Sequence, residues 1–185
     1  FELAATYYKK AIEKNPKNEQ AHIGLINAYS RQQKYPEMKL AVDEAMKLTD
    51  SHVTIGSNLG LYYLQTQDLS NAIAAFEKVI DLNYKSTPAY YYLALAYNNN
   101  QEPAKAVKAL EDFAANSGNI PQAYQLAIQL TANSKYQQLY FQAKQAYFSG
   151  NGQQAYNLVS QSVQQGNNYE PAMKFKAEIE KASGL

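Results

Sequence analysis

The chain has no cysteine among its 185 residues. That excludes a disulfide framework and any thiolate metal site, and it leaves the redox compartment open. Arg31 is the single arginine, and the formal net charge is only +1. Affinity for nucleic-acid phosphates scales with the lysines and arginines brought to them, so a nucleic-acid partner is not expected. Charged residues make up 18%, and eight glycines with six prolines are too few for a linker. The longest apolar stretch, Val53 to Leu64, is roughly half of the ~20 residues a spanning helix needs and contains Ser57 and Asn58. No signal peptide is visible, and no direct membrane insertion by this segment is expected. The chain opens at Phe1 inside a helical pattern and is read as a fragment of a longer protein.

Reactive constellations are equally scarce. His22 and His52 are the only histidines, and neither has a second ligand at the helical i+3 or i+4 spacing of a metal site, so no metal and no cofactor are expected. Asp43–Glu44 and Glu111–Asp112 are sequence neighbours and leave a helix in different directions. There is no nucleophile elbow and no phosphate-binding loop; Gly150–Gly152 reads as a turn between helices. Nucleophilic catalysis needs a base held against the nucleophile and an oxyanion site. The chain is therefore not expected to be an enzyme.

What is abundant is apolar residues, at 46%, with 17 tyrosines, and they recur at a fixed interval. Ala4, Tyr8, Ala11 and Pro16 shift by 34 to Met38, Val42, Ala45 and Asp50. They shift again to Ala72, Phe76, Val79 and Tyr84, and then to Ala106, Leu110, Phe113 and Gly118. The first three columns stay apolar at spacings of four and three, one face of an α-helix. A second register precedes each later helix: His22, Leu25, Ile26 and Tyr29 become Gly56, Leu59, Gly60 and Tyr63, then Tyr90, Leu93, Ala94 and Tyr97. Asn18 and Thr87–Pro88 read as helix starts, Gly118 and Gly166 as stops. Lys34–Tyr35–Pro36 and Asp68–Leu69–Ser70 fall where a hairpin would turn. Gly56 and Gly60 read as a site of close helix packing.

This pattern resembles the tetratricopeptide repeat family. Leu59, Gly60, Tyr63, Ala72 and Phe76 match its leucine and small residue at positions 7 and 8, tyrosine at 11, alanine at 20 and phenylalanine at 24. The likeness runs over roughly residues 1–118. It departs at position 32, where only Pro16 keeps the proline, and at position 8 of the second copy, where Ile26 is bulky. The resemblance implies an all-α fold, a right-handed α-solenoid of helix-turn-helix repeats. Residues 1–185 are then a single solenoid domain: 1–18 the second helix of a truncated repeat, 19–52, 53–86 and 87–120 repeats, 121–168 divergent hairpins, and 169–185 a capping helix. Tyr29, Tyr63, Tyr97 and Tyr147 would occupy the family's packing position.

Stacked hairpins leave a groove lined by their first helices. Carried over from the family, positions 2, 5, 9, 12 and 13 give Gln20, Ile23, Asn27, Ser30 and Arg31. They give Ser57, Leu61, Leu64 and Gln65 in the next repeat, and Tyr91, Leu95, Asn98 and Asn99 in the one after. With Asn58 and Tyr92 at position 6, the expected partner-binding groove is Asn27, Arg31, Asn58, Gln65, Tyr91, Tyr92, Asn98 and Asn99. Chaperone-binding relatives hold terminal carboxylates with cations, but Ile23, Pro88 and Tyr92 stand where those are required, so an acidic chaperone tail is not the expected ligand. No acid occurs between Asp112 and Glu170, and glutamines such as Gln122, Gln142 and Gln154 fill that stretch with a neutral hydrogen-bonding surface. The function this implies is a protein–protein interaction scaffold in the assembly of a bacterial multi-protein complex, holding a protein or peptide segment. The alternative is a cell-envelope module that handles or exports a polysaccharide, with a neutral glycan as ligand. Scarce arginine beside abundant Asn, Gln, Lys and Tyr points to an AT-rich bacterial genome, and to the periplasm or cell envelope over the cytoplasm.

Overall fold

The computed structural model describes residues 1–48, 52–83 and 85–183; Asp50 and Tyr84, expected at the fourth repeat column, and the side chain of His52 lie outside the described residues. Among the described residues there are eleven α-helices and no strand. The all-α repeat architecture that the resemblance implies is what the chain adopts. Its internal contacts gather into two compact units, 1–100 and 101–185.

The first unit holds α1 (Glu2–Lys14), α2 (Glu19–Arg31), α3 (Tyr35–Leu48), α4 (His52–Gln65), α5 (Leu69–Leu82) and α6 (Thr87–Asn99). Successive helices pack in sequence, and in addition α2 touches α4 and α4 touches α6. The repeat columns explain why. Met38, Val42 and Ala45 on α3 and Ala72, Phe76 and Val79 on α5 are almost wholly buried. So are Leu25, Ile26 and Tyr29 on α2, and Leu93 and Ala94 on α6. On α4 the two glycines of the matching set, Gly56 and Gly60, are buried, while Leu59 and Tyr63 are half-buried. Gly56 and Gly60 let α5 close onto α4: a β-carbon would come within 2.8 Å of Val79 at the first and 2.7 Å of the Phe76 ring at the second. His22 is a packing residue, wholly buried, with Nε2 2.8 Å from the Pro16 carbonyl.

The hairpin turns fall slightly earlier than the sequence suggested. Tyr35–Pro36 and Leu69–Ser70 already belong to α3 and α5. The chain reverses one or two residues before, through Gln33 (φ 57°) and Gln67 (φ 60°). Each helix closes in the same way: Lys34 N–H donates to Tyr29 O at 3.0 Å and Asp68 N–H to Tyr63 O at 2.9 Å. These are six-to-one bonds around a left-handed residue, the helix-ending arrangement that usually employs glycine. Asn18 does cap α2, its side chain accepting from Ala21 N–H at 3.0 Å.

The second unit holds α7 (Pro103–Ala115), α8 (Pro121–Leu130), α9 (Lys135–Phe148), α10 (Gly152–Gln165) and α11 (Glu170–Ser183). Its centre is aromatic. Phe113 meets Tyr124 edge-on at 5.4 Å, Tyr124 stacks on Phe148 at 6.0 Å, and the Tyr124 hydroxyl donates to Gly118 O at 2.5 Å. The left-handed residue after α7 is Ser117 (φ 58°) rather than Gly118, and Gly166 ends α10 at a negative φ. Tyr147 departs from the core position expected of it: it is 41% exposed. The buried stripe of α9 passes through Leu139, Tyr140, Ala143 and Ala146, so Tyr147 stands at its edge and offers its ring edge-on to Phe175 at 5.4 Å. The glutamine-rich stretch folds into α8, α9 and α10, and Gln122, Gln142 and Gln154 are not buried.

Candidate functional site

The residues expected to meet a partner sit on α2, α4 and α6, the three helices that touch in succession. Asn27 and Arg31 are one turn apart on α2, and both are exposed. Asn58 and Gln65 are two turns apart on α4, the first half-buried and the second exposed at the helix end. On α6, Tyr91 and Asn98 share one line and Tyr92 and Asn99 another, since a seven-residue step returns to nearly the same side of a helix. None of the eight is buried.

Their environments differ. Arg31 carries its guanidinium over the Phe1 ring, 5.4 Å from the centroid. Tyr91 and Tyr92 lie beside each other, centroids 5.3 Å apart. Tyr92 stacks on the fully buried Phe76 at 5.7 Å and 19°, which ties it to the packing of α5 against α6. Partial burial, with Tyr92 beside it, pushes the Tyr91 hydroxyl above its ordinary value. It remains neutral in ordinary buffers and able to donate and accept a hydrogen bond. Tyr97, at the family's packing position, is half-buried and donates to Glu77 at 2.5 Å. The surface around Tyr91 is thus amide and aromatic, and Arg31 is the one charge among the eight residues.

A second polar locality, in the second unit, escaped the sequence reading. Lys144 on α9 is 4% exposed. Its ammonium is 3.8 Å from Glu178 and 3.9 Å from the centroid of Phe175, on which it rests. Burial lowers its pKa, and Glu178 opposes that shift. It borders a pocket of about 260 Å³ among α7, α9 and α11, where Lys108 pairs with Asp112 at 2.8 Å and Lys174 with Glu170 at 2.6 Å. Glu111 accepts from the Tyr169 hydroxyl and from Gln137. Burial first, then that bond, drives the Tyr169 hydroxyl far above its ordinary value. The only advance signal was a lone lysine among alanines on an apolar stripe. Among the described residues no group of three or more His, Cys, Asp or Glu could hold a metal ion, and no helix is long and apolar enough to cross a membrane.

Comparison with known proteins follows this geometry. A tetratricopeptide repeat profile matches residues 57–120. No curated protein matches the sequence. Among solved structures, MamA superposes with a TM-score of 0.62 at 19% identity, covering 86% of this chain and 89% of that one. PilF of Pseudomonas aeruginosa gives 0.63 at 16% identity, covering 96% and 89%. YrrB, described as a tetratricopeptide repeat protein with an unusual peptide-binding site, gives 0.58 at 17% identity, covering 95% and 83%. At these identities the likeness speaks to fold. Matched segment, 34-residue period and structural neighbours agree: residues 57–120 match the tetratricopeptide repeat family, and the chain is similar in fold to tetratricopeptide repeat proteins.

Proposed function

We propose that the chain is a non-catalytic scaffold that holds a segment of a partner protein along α2, α4 and α6, in the assembly of a bacterial multi-protein complex. The observation that carries this is the half-open Tyr91 and its neighbours on a row of mutually touching helices. Tyr91 serves as the aromatic anchor, because its ring, unlike that of Tyr92, is not stacked on Phe76. Asn27, Asn58, Asn98 and Asn99 bond the partner's backbone, with Gln65 and Arg31 at the margins. Neutral groups recognise by shape and hydrogen bonding, so screening has little to act on. Peptides selected by display against the chain should bind with an affinity that changes less than about twofold between low and high salt. Tyr91→Ala should weaken them at least roughly tenfold. Binding abolished by salt, or indifferent to Tyr91→Ala, contradicts this reading.

One observation favours a second reading, a cell-envelope module for a neutral polysaccharide. In the second unit, Gln142, Gln145, Asn151, Gln154 and Ser149 line a pocket of about 410 Å³ without a charged side chain. Amides facing an uncharged hollow suit hydroxyl-rich ligands. Titrating soluble neutral oligosaccharides while following tyrosine fluorescence separates the two readings: saturable binding lost on Gln142→Ala supports the glycan, and no binding removes it.

A further inference from the structure

The side of the first unit built by the second helices carries two furrows related by the same 34-residue step as the fold. One lies between α1 and α3 over α2, about 390 Å³, with Ile12, Leu25, Tyr29 and Leu40 as its apolar lining. The other lies between α3 and α5 over α4, about 460 Å³, lined by Met46, Gly56, Leu59, Val79 and Leu82. Ile12 and Met46 are repeat equivalents, as are Leu25 and Leu59. Leu40 is 69% and Leu82 49% exposed, so each furrow has an open apolar lip. On α2, Leu25 and Tyr29 stand two residues from Asn27, about 200° around the helix, so this face is turned away from Asn27.

The rims carry opposite charge at equivalent positions. Lys9, Glu13 and Glu44 border the first furrow; Asp43, Lys47 and Lys78, each 34 residues on, border the second. Every sign is inverted. Glu37 adds a further acid to the first rim, and Lys9 there sits over the Tyr29 ring at 5.5 Å. Tyr29 holds that ammonium above its ordinary pKa, so it stays charged. The first rim is net acidic and the second net basic. Uniform solubility charges would not need to alternate with the repeat. An elongated partner lying across both furrows would meet one sign and then the other.

We propose that this face docks an amphipathic helix of a partner protein, crossing α3, with one apolar anchor in each furrow, basic residues around the first and acidic residues around the second. α3 is the ridge between the furrows, so their centres lie about one helix diameter apart, ~10 Å. At ~1.5 Å of rise per residue that is a spacing of about seven residues along the docked helix. Helix-in-groove recognition supplies the apolar contacts, and the inverted rims set the direction in which the helix lies. The furrows use another side of α2 and α4, and none of the eight candidate residues on α2, α4 and α6 lines them.

The test uses three synthetic helix-forming peptides with leucines about seven residues apart. One has lysines flanking the first leucine and glutamates the second, one has lysines flanking both, and one has glutamates flanking both. Measured by fluorescence anisotropy at low salt against the full chain, the mixed peptide should bind roughly tenfold tighter than either uniform one. Glu13→Lys with Glu44→Lys, both exposed, makes both rims basic and should transfer the preference to the all-glutamate peptide. Tyr91→Ala should leave the mixed peptide's affinity unchanged. Equal affinities, no binding, or an unmoved preference in the double variant would overturn the proposal. So would a loss on Tyr91→Ala, which would seat the peptide on α6.

Discussion

Gly60 has no room for a methyl group. The Phe76 ring that a β-carbon would strike at 2.7 Å is fully buried and stacked on Tyr92, so it cannot swing aside. Alanine would gain up to ~1 kcal/mol of helix propensity but overpack the α4–α5 contact, at a cost of about 1–3 kcal/mol. Gly60→Ala is expected to lower the denaturant midpoint of the first unit, and an unchanged or raised midpoint would contradict the packing described. Lys144 works in the opposite sense. Its ammonium is desolvated while its partner Glu178 is mostly in water, so Lys144→Met relieves a buried charge without stranding another. A gain of about 1 kcal/mol at neutral pH is expected. The folded pKa of Lys144 is lowered, so its penalty is complete below that value and fades as pH rises towards the ordinary 10.5. The advantage of methionine should therefore shrink on going alkaline, as read from chemical denaturation at several pH values.

At the scale of the element, the helices were legible because the apolar columns keep their spacing through every repeat, and burial follows them almost residue for residue on α3 and α5. The turns were less so. Glycine and proline were read as the punctuation, yet the left-handed positions after α2, α4 and α6 are filled by Gln33, Gln67 and Gln101, at φ of 57°, 60° and 60°. They are one repeat apart and carry no turn signature as residues. Holding a side chain there costs about 1–2 kcal/mol. Gln67→Gly is thus expected to stabilise the first unit by about 0.5–1 kcal/mol, and Gln67→Val to destabilise it by at least about 1 kcal/mol. Thermal melts of the two variants check this directly, and identical melts would dismiss the strain.

At the scale of the molecule, residues near one another in the repeat pattern were readable and residues brought together from distant helices were not. The candidate row on α2, α4 and α6 was named from repeat positions carried over from the tetratricopeptide family. That Tyr92 leans on Phe76, leaving Tyr91 as the freer ring, needed side-chain geometry. The Lys144 locality joins α7, α9 and α11 across a stretch where the period breaks, so no column could announce it. The account rests on first helices that present a neutral surface to a partner segment. Hydrogen–deuterium exchange of the chain with and without a display-selected peptide tests this most directly. The account predicts added protection on α2, α4 and α6 at Asn27, Asn58 and Tyr91; protection confined to α7 through α11, or none, would contradict it.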